Sequence, residues 1–137
     1  QLANIVRKAI PKKKSKIDLA TKTFQAIRIY LNDEIKELEK GLIAAEKALR
    51  PEGRLVVVSF HSIEDKIVKN FFYKCLQNTS LSRHLPELPK KNPSLEILTK
   101  KPILPSSKEI YINKRSRSAK LRIAKRTHFS STFGEIA

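Results

Sequence analysis

The residues that most constrain what this chain can fold into are Leu55-Val56-Val57-Val58, a continuous apolar, β-branched run. It follows the break Arg50-Pro51-Glu52-Gly53 and leads straight into a helical pattern. A strand buried on both faces fits such a run best. Before it, Phe24, Ile27, Leu31, Ile35, Leu38, Leu42, Ala45 and Leu49 recur at spacings of three and four. That periodicity predicts one long amphipathic helix from Thr21, with Phe24 and Ile27 in the core and Thr21 or Thr23 as its cap. After the run, Ile67, Val68, Phe71, Phe72 and Cys75 predict a second helix from Ile63 to about Leu76. Helix, short loop, doubly buried strand and helix make the α/β pattern of a parallel sheet. Residues 77 to 94 read as a surface loop, and Leu95 to Thr99 and Ser118 to Lys125 as strands able to pair as an antiparallel edge. Two or three strands are too few to cover the central one, so the pattern predicts further strands upstream.

Three segments follow from this reading. Residues 1 to 20 are the end of a helix stopped by Pro11, then the basic connector Lys12-Lys13-Lys14-Ser15-Lys16. Residues 21 to 126 are the body, and 127 to 137 a poorly ordered tail. The chain begins at Gln1 within a helical pattern and has no Met, which reads as a piece of a longer protein. Its 137 residues carry a net charge of +16, too large an imbalance for an enzyme acting alone on a neutral small molecule. A polyanionic partner is implied. The bases are uneven: residues 1 to 16 hold six and no acid, and residues 100 to 137 hold ten against two acids. Residues 17 to 53 are nearly balanced, so basic surfaces flank a packed body. The single cysteine, Cys75, permits no internal disulfide and no thiolate metal cluster, which points to a reducing, cytoplasmic setting. No apolar run reaches membrane-span length, so no membrane partner is expected, and no metal site is predicted.

The junction Ser59-Phe60-His61-Ser62-Ile63-Glu64-Asp65 lies where a strand ends and a helix begins, the edge at which α/β sheets carry ligand sites. Ser62 and Asp65 match a helix-capping pattern, which would make them structural. Phe60 and His61 could instead stack on a base and hydrogen-bond to its edge, although Phe60 could equally be core. A hydrolase built from these serines, His61 and Asp65 is disfavoured, because no Gly-x-Ser-x-Gly elbow surrounds them. In the run Asn113 to Arg122, a strand from Ser118 puts Lys120 and Arg122 on one face, opposite Leu121 and Ile123. Lys120 and Arg122 then form a basic outer row, and with Arg115 and Arg117 they suit RNA phosphates; the alternative is a charged edge strand that discourages sheet pairing. Gln25 and Arg28 fall on one side of the long helix, facing either a ligand or solvent. Gly41, Gly53 and Gly134 are too scattered to cradle a nucleotide, so no cofactor-binding residue is assigned within the chain.

Three blocks together resemble the RsmH (MraW) family of S-adenosylmethionine-dependent enzymes. They are Thr21-Lys22-Thr23-Phe24-Gln25-Ala26-Ile27-Arg28-Ile29 with Asn32-Asp33-Glu34, then Gly53 to Asp65, then Asn113 to Arg122. Departures from the family's pattern are Asp18-Leu19 in place of His-Pro, Lys22 in place of Arg and Lys114 in place of Pro. The resemblance implies methyl transfer to N4 of a cytidine in the decoding region of 16S rRNA, with the small ribosomal subunit as partner. It implies the C-terminal portion of a Rossmann-like class I methyltransferase sheet, lacking the N-terminal strands that bind the cofactor. S-adenosylmethionine would then be held upstream of Gln1, and the fragment alone would be inactive but RNA-binding. On this reading Phe60 and His61 are the catalytic candidates, near the target base. A second copy is a further candidate partner, since a homodimer could cover open sheet edges. The rival is a free-standing basic RNA-binding or ribosome-associated protein without catalysis.

Overall fold

The computed structural model describes residues 1–10, 18–76 and 92–133. The connector Lys12 to Lys16, most of the loop expected over residues 77 to 94, and Gly134 lie outside the described residues. The chain forms two compact units, Gln1–Leu38 and Glu39–Ala137.

The first unit holds α1 (Leu2–Ala9), α2 (Thr21–Leu31) and the opening turn of α3 (Glu34–Ala48). Helix α1 ends at Ile10, whose extended backbone (φ −87°, ψ 128°) is the conformation forced on a residue before proline. Asp18 shapes the entry to α2: its Oδ1 accepts the Ala20 amide at 2.8 Å while Arg7 Nη2 lies 2.7 Å from its Oδ2. The Asp18 carboxyl is held below its ordinary pKa, chiefly by the hydrogen bond from Arg7. Neither Thr21 nor Thr23 caps the helix, whose N-cap is Ala20 without a side-chain bond.

The single long helix expected from Thr21 to Leu49 is two helices. Asn32 and Asp33 separate them, with Asp33 at φ 50°, a left-handed conformation that Asp tolerates better than most residues. Phe24 and Ile27, expected in the core, are exposed. Two short helices and one turn present too little surface to cover them, and Ala20 is the one buried residue among those described in this unit.

The second unit is built on a three-stranded sheet: β1 (Arg54–Ser59), β2 (Leu95–Ile97) and β3 (Lys120–Arg126), in the order β1-β3-β2. Both pairings are antiparallel, from Arg54↔Lys125 to Ser59↔Lys120 on one side and Leu95↔Arg126 to Ile97↔Ala124 on the other. The expected antiparallel pairing of the two later strands is present. The expected parallel partner of β1 is not among the described residues, because helix-strand-helix spacing does not specify which strand lies alongside. Nor is β1 buried on both faces. Leu55, Val57 and Ser59 face inward, whereas Val56 is 52% and Val58 50% exposed. A turn fixes the start of β1: the Gly53 amide donates to Arg50 O at 2.9 Å, and Glu52 takes φ 69°. A Cβ on Gly53 would stand 2.8 Å from Arg50 O, so this position requires glycine.

Helix α4 (Ser62–Leu76) covers the inner face with Val68, Phe72 and Cys75, which meet Leu95 and Ala124 in the core. Each large apolar side chain buried there stabilises the unit by roughly 1.5–3 kcal/mol. The basic row of β3 points into this core, not outward. Arg122, Ala124 and Arg126 are buried because acids meet the two arginines from below: Asp65 on α4 takes Arg122, and Glu46 on α3 faces Arg126. Arg126 also donates to the carbonyls of Ser94 (2.9 Å) and Phe129 (2.7 Å).

The tail expected to be poorly ordered from Thr127 is docked as far as Phe133. Thr127 Oγ1 donates to Pro93 O at 2.6 Å, the Ser131 hydroxyl donates to Glu46, Thr132 shares a hydrogen bond with Ser94, and Phe133 stacks on Phe71 at 5.3 Å. Two segments precede β3: α5 (Ser107–Ile112) and a 3₁₀ helix, Lys114–Ser118. No helix among the described residues is long and apolar enough to cross a membrane.

Candidate nucleic-acid interface

The register Ser59↔Lys120 sets the end of β1 beside the start of β3. Two segments far apart in sequence therefore share one end of the sheet: the turn Phe60-His61 that follows β1, and the 3₁₀ helix that precedes β3. Ser59 Oγ reinforces the join by donating to Lys120 O at 3.4 Å.

The turn is fixed by a reciprocal cap of α4. The Glu64 amide donates to His61 Nδ1 at 3.3 Å, and Glu64 Oε2 accepts the amides of Phe60 (2.9 Å) and His61 (3.3 Å). The geometry is that of a capping box with histidine where Ser or Thr usually stands. His61 Nε2 lies 3.0 Å from Glu64 Oε1, so both ring nitrogens turn toward Glu64. The expected cappers, Ser62 and Asp65, do not perform this task. Ser62 is exposed and makes no side-chain hydrogen bond among the described residues. Phe60, rather than packing in the core, is 56% exposed at the rim of the sheet.

Asp65 lies one helical turn into α4 and is buried. Its carboxylate accepts from Arg122 Nε at 2.7 Å, Arg122 Nη2 at 3.2 Å and Lys120 Nζ at 3.2 Å. The Arg122 guanidinium, and then Lys120, hold this carboxyl below its ordinary pKa against the opposing effect of burial. Arg122, expected to meet RNA phosphate, is thus turned inward and paired with Asp65. Lys120 is half-buried on the same carboxylate.

Arg115 and Arg117 are exposed. Asn113 Oδ1 accepts the Arg115 amide at 3.1 Å, and the Ser116 hydroxyl donates to Asn113 O at 2.8 Å. Ser116 is buried, so the two arginines flanking it are directed outward. Glu64, Asn113 and Ser116 position this surface, and sequence reasoning did not assign them these roles. The signal was present, since Glu three residues after a helix start, and Asn ahead of a tight turn, are local backbone-bonding patterns. In the first unit, Arg28 Nε pairs with Glu34 Oε1 at 2.8 Å, which occupies its guanidinium, while Gln25 is partly exposed.

Among the described residues no group of three or more His, Cys, Asp or Glu could hold a metal. Gly53 serves its own turn, and a Cβ on Gly41 would meet nothing within 4 Å.

A model of the MraW methylase family matches residues 1–127 of the chain. The protein named "Ribosomal RNA small subunit methyltransferase H" in Rhodopseudomonas palustris strain BisB18 is 54% identical over 126 residues. Proteins of the same name in R. palustris strain BisA53 and in Bradyrhizobium diazoefficiens are 52% and 50% identical over the same length. Each alignment covers 92% of this chain, which spans only 38% of the length of these relatives.

Proposed function

The chain belongs to the MraW methylase family, and from that membership we propose that it forms part of an enzyme methylating N4 of a cytidine in the decoding region of 16S rRNA. S-adenosylmethionine would supply an electrophilic methyl group. The relatives are more than twice as long as the aligned stretch, and the proposal assigns its binding to sequence outside these 137 residues. The sheet would then be the C-terminal portion of a Rossmann-like methyltransferase sheet.

The observation that carries the reading is the register Ser59↔Lys120, by which an exposed aromatic turn and the segment bearing two exposed arginines adjoin the same end of the sheet. The exocyclic amine of cytosine is a poor nucleophile, its lone pair delocalised into the ring, so the base must be held out of its stack and aligned. Phe60 supplies a face for such a base, held by the His61–Glu64 cap. Arg115 and Arg117 take flanking phosphates.

Phe60→Ala in the full-length gene product should lower single-turnover methylation of small-subunit rRNA by on the order of tenfold or more, the worth of one stacked base. Unchanged methylation would remove Phe60 from the site. Calorimetry separates the assignment of the cofactor: tight binding of S-adenosylmethionine by this 137-residue chain would overturn it.

A further inference from the structure

The bases near the sheet divide into two sets. Lys120, Arg122, Lys125 and Arg126 each meet an acid: Asp65 for the first two, Glu52 and Glu96 for Lys125, and Glu46 for Arg126. They are part of the fold. Lys108, Lys114, Arg115 and Arg117 pair with no acid among the described residues and are exposed, with Glu109 as the only acid between residues 106 and 118. Four like charges within ten residues repel one another and are relieved by a polyanion. In the midst of them Tyr111 is 87% exposed, one turn of α5 beyond Lys108 and so on the same side of that helix. A tyrosine ring left in water gains nothing for the fold. A phosphate-only surface would not need it.

We infer that α5 and the 3₁₀ helix form a platform for single-stranded RNA, on which Tyr111 stacks a base while Lys108, Lys114, Arg115 and Arg117 neutralise the phosphates on either side. Every base has a π-face, so stacking on Tyr111 requires an unpaired nucleotide and selects single strand over duplex. The 3₁₀ helix leads directly into β3, whose start lies beside the Phe60 turn. A strand lying on the platform therefore runs toward Phe60. The inference rests on the proposed rRNA substrate and adds that the RNA flanking the target base is held unpaired.

The test measures the affinity of the full-length gene product for a labelled single-stranded RNA of about ten nucleotides, and for a duplex of the same length. Tyr111→Ala should weaken single-strand binding about tenfold, and Tyr111→Phe, which keeps the ring, should bind as the parent does. Duplex affinity should be the same in all three. Lys108→Gln and Arg115→Gln should each flatten the salt dependence by about 0.7 in the log–log slope, while Tyr111→Ala leaves the slope unchanged. Parental single-strand affinity in Tyr111→Ala, or equal losses on single strand and duplex, would overturn the platform. Methyl transfer distinguishes the two levels: a parent protein that does not methylate 16S rRNA removes the underlying reading, whereas one that methylates while Tyr111→Ala binds normally removes the platform alone.

Discussion

Asp65 shows how one buried side chain can reassign residues that look functional in the sequence. Alternation along β3 correctly put Lys120 and Arg122 on one face, but which face turns inward is decided by a carboxylate on α4, 57 residues before Arg122. Spacing along a strand cannot carry that information. The Asp65 carboxyl is held below its ordinary pKa by Arg122 and Lys120, so its contribution to stability is complete above the unfolded Asp pKa of about 3.9. It is lost as pH falls through the lower folded value. Urea unfolding of the full-length protein should therefore show stability declining as pH drops below about 4. Asp65→Asn should lose about 3 kcal/mol at neutral pH, because Arg122 stays buried with its charge unpaired, and should show a flatter acid decline. His61 carries a second prediction at this scale. As the N-cap of α4, it should be replaceable by Asn, a strong capping residue, with little change in stability, whereas His61→Ala should cost about 1 kcal/mol in the same measurement. Equal stability of the two variants would show that the reciprocal bond with Glu64 contributes nothing.

Elements were legible where local pattern decides and illegible where distant packing does. Helix α4 lies within a residue of its expected bounds, since its apolar stripe and its cap lie close together in sequence. The break at Asn32-Asp33 was hidden because Leu31 and Ile35 keep helical spacing across it, so the apolar series looks continuous although the backbone is not. The tail beyond Arg126 was misread for a related reason. Ser, Thr and Gly at a chain end suggest disorder, but Ser131 and Thr132 find buried partners in Glu46 and Ser94, and Phe133 finds Phe71. This docking predicts a measurable shield. Burial pushes the Cys75 thiol up to about 11, with Ser94 and Thr132 hydrogen-bonding beside it. Truncation after Thr127 should expose Cys75 and speed its alkylation by iodoacetamide near pH 8 by about tenfold, as local opening becomes easier. An unchanged alkylation rate would show that α4 and β2 alone bury the thiol.

On the scale of the whole molecule, the net charge of +16 and its uneven spread along the chain suggested basic surfaces flanking a packed body. The fold instead uses part of that charge to join helices to the sheet and leaves another part free, concentrated before β3. Composition revealed the excess, and only the folded arrangement separates the two uses. The strand order adds a constraint in time. β3 lies between β1 and β2 but is made after both. While the chain is being synthesised, β1 and β2 are complete before the strand they share exists, and their edges stay open until Arg126 has been added. An open, apolar edge such as Leu55–Val58 is a template for pairing with a neighbouring nascent chain. The central strand is thus also the last to arrive, and a pause in translation between Leu76 and Lys120 would lengthen the interval in which this unit is exposed to aggregation.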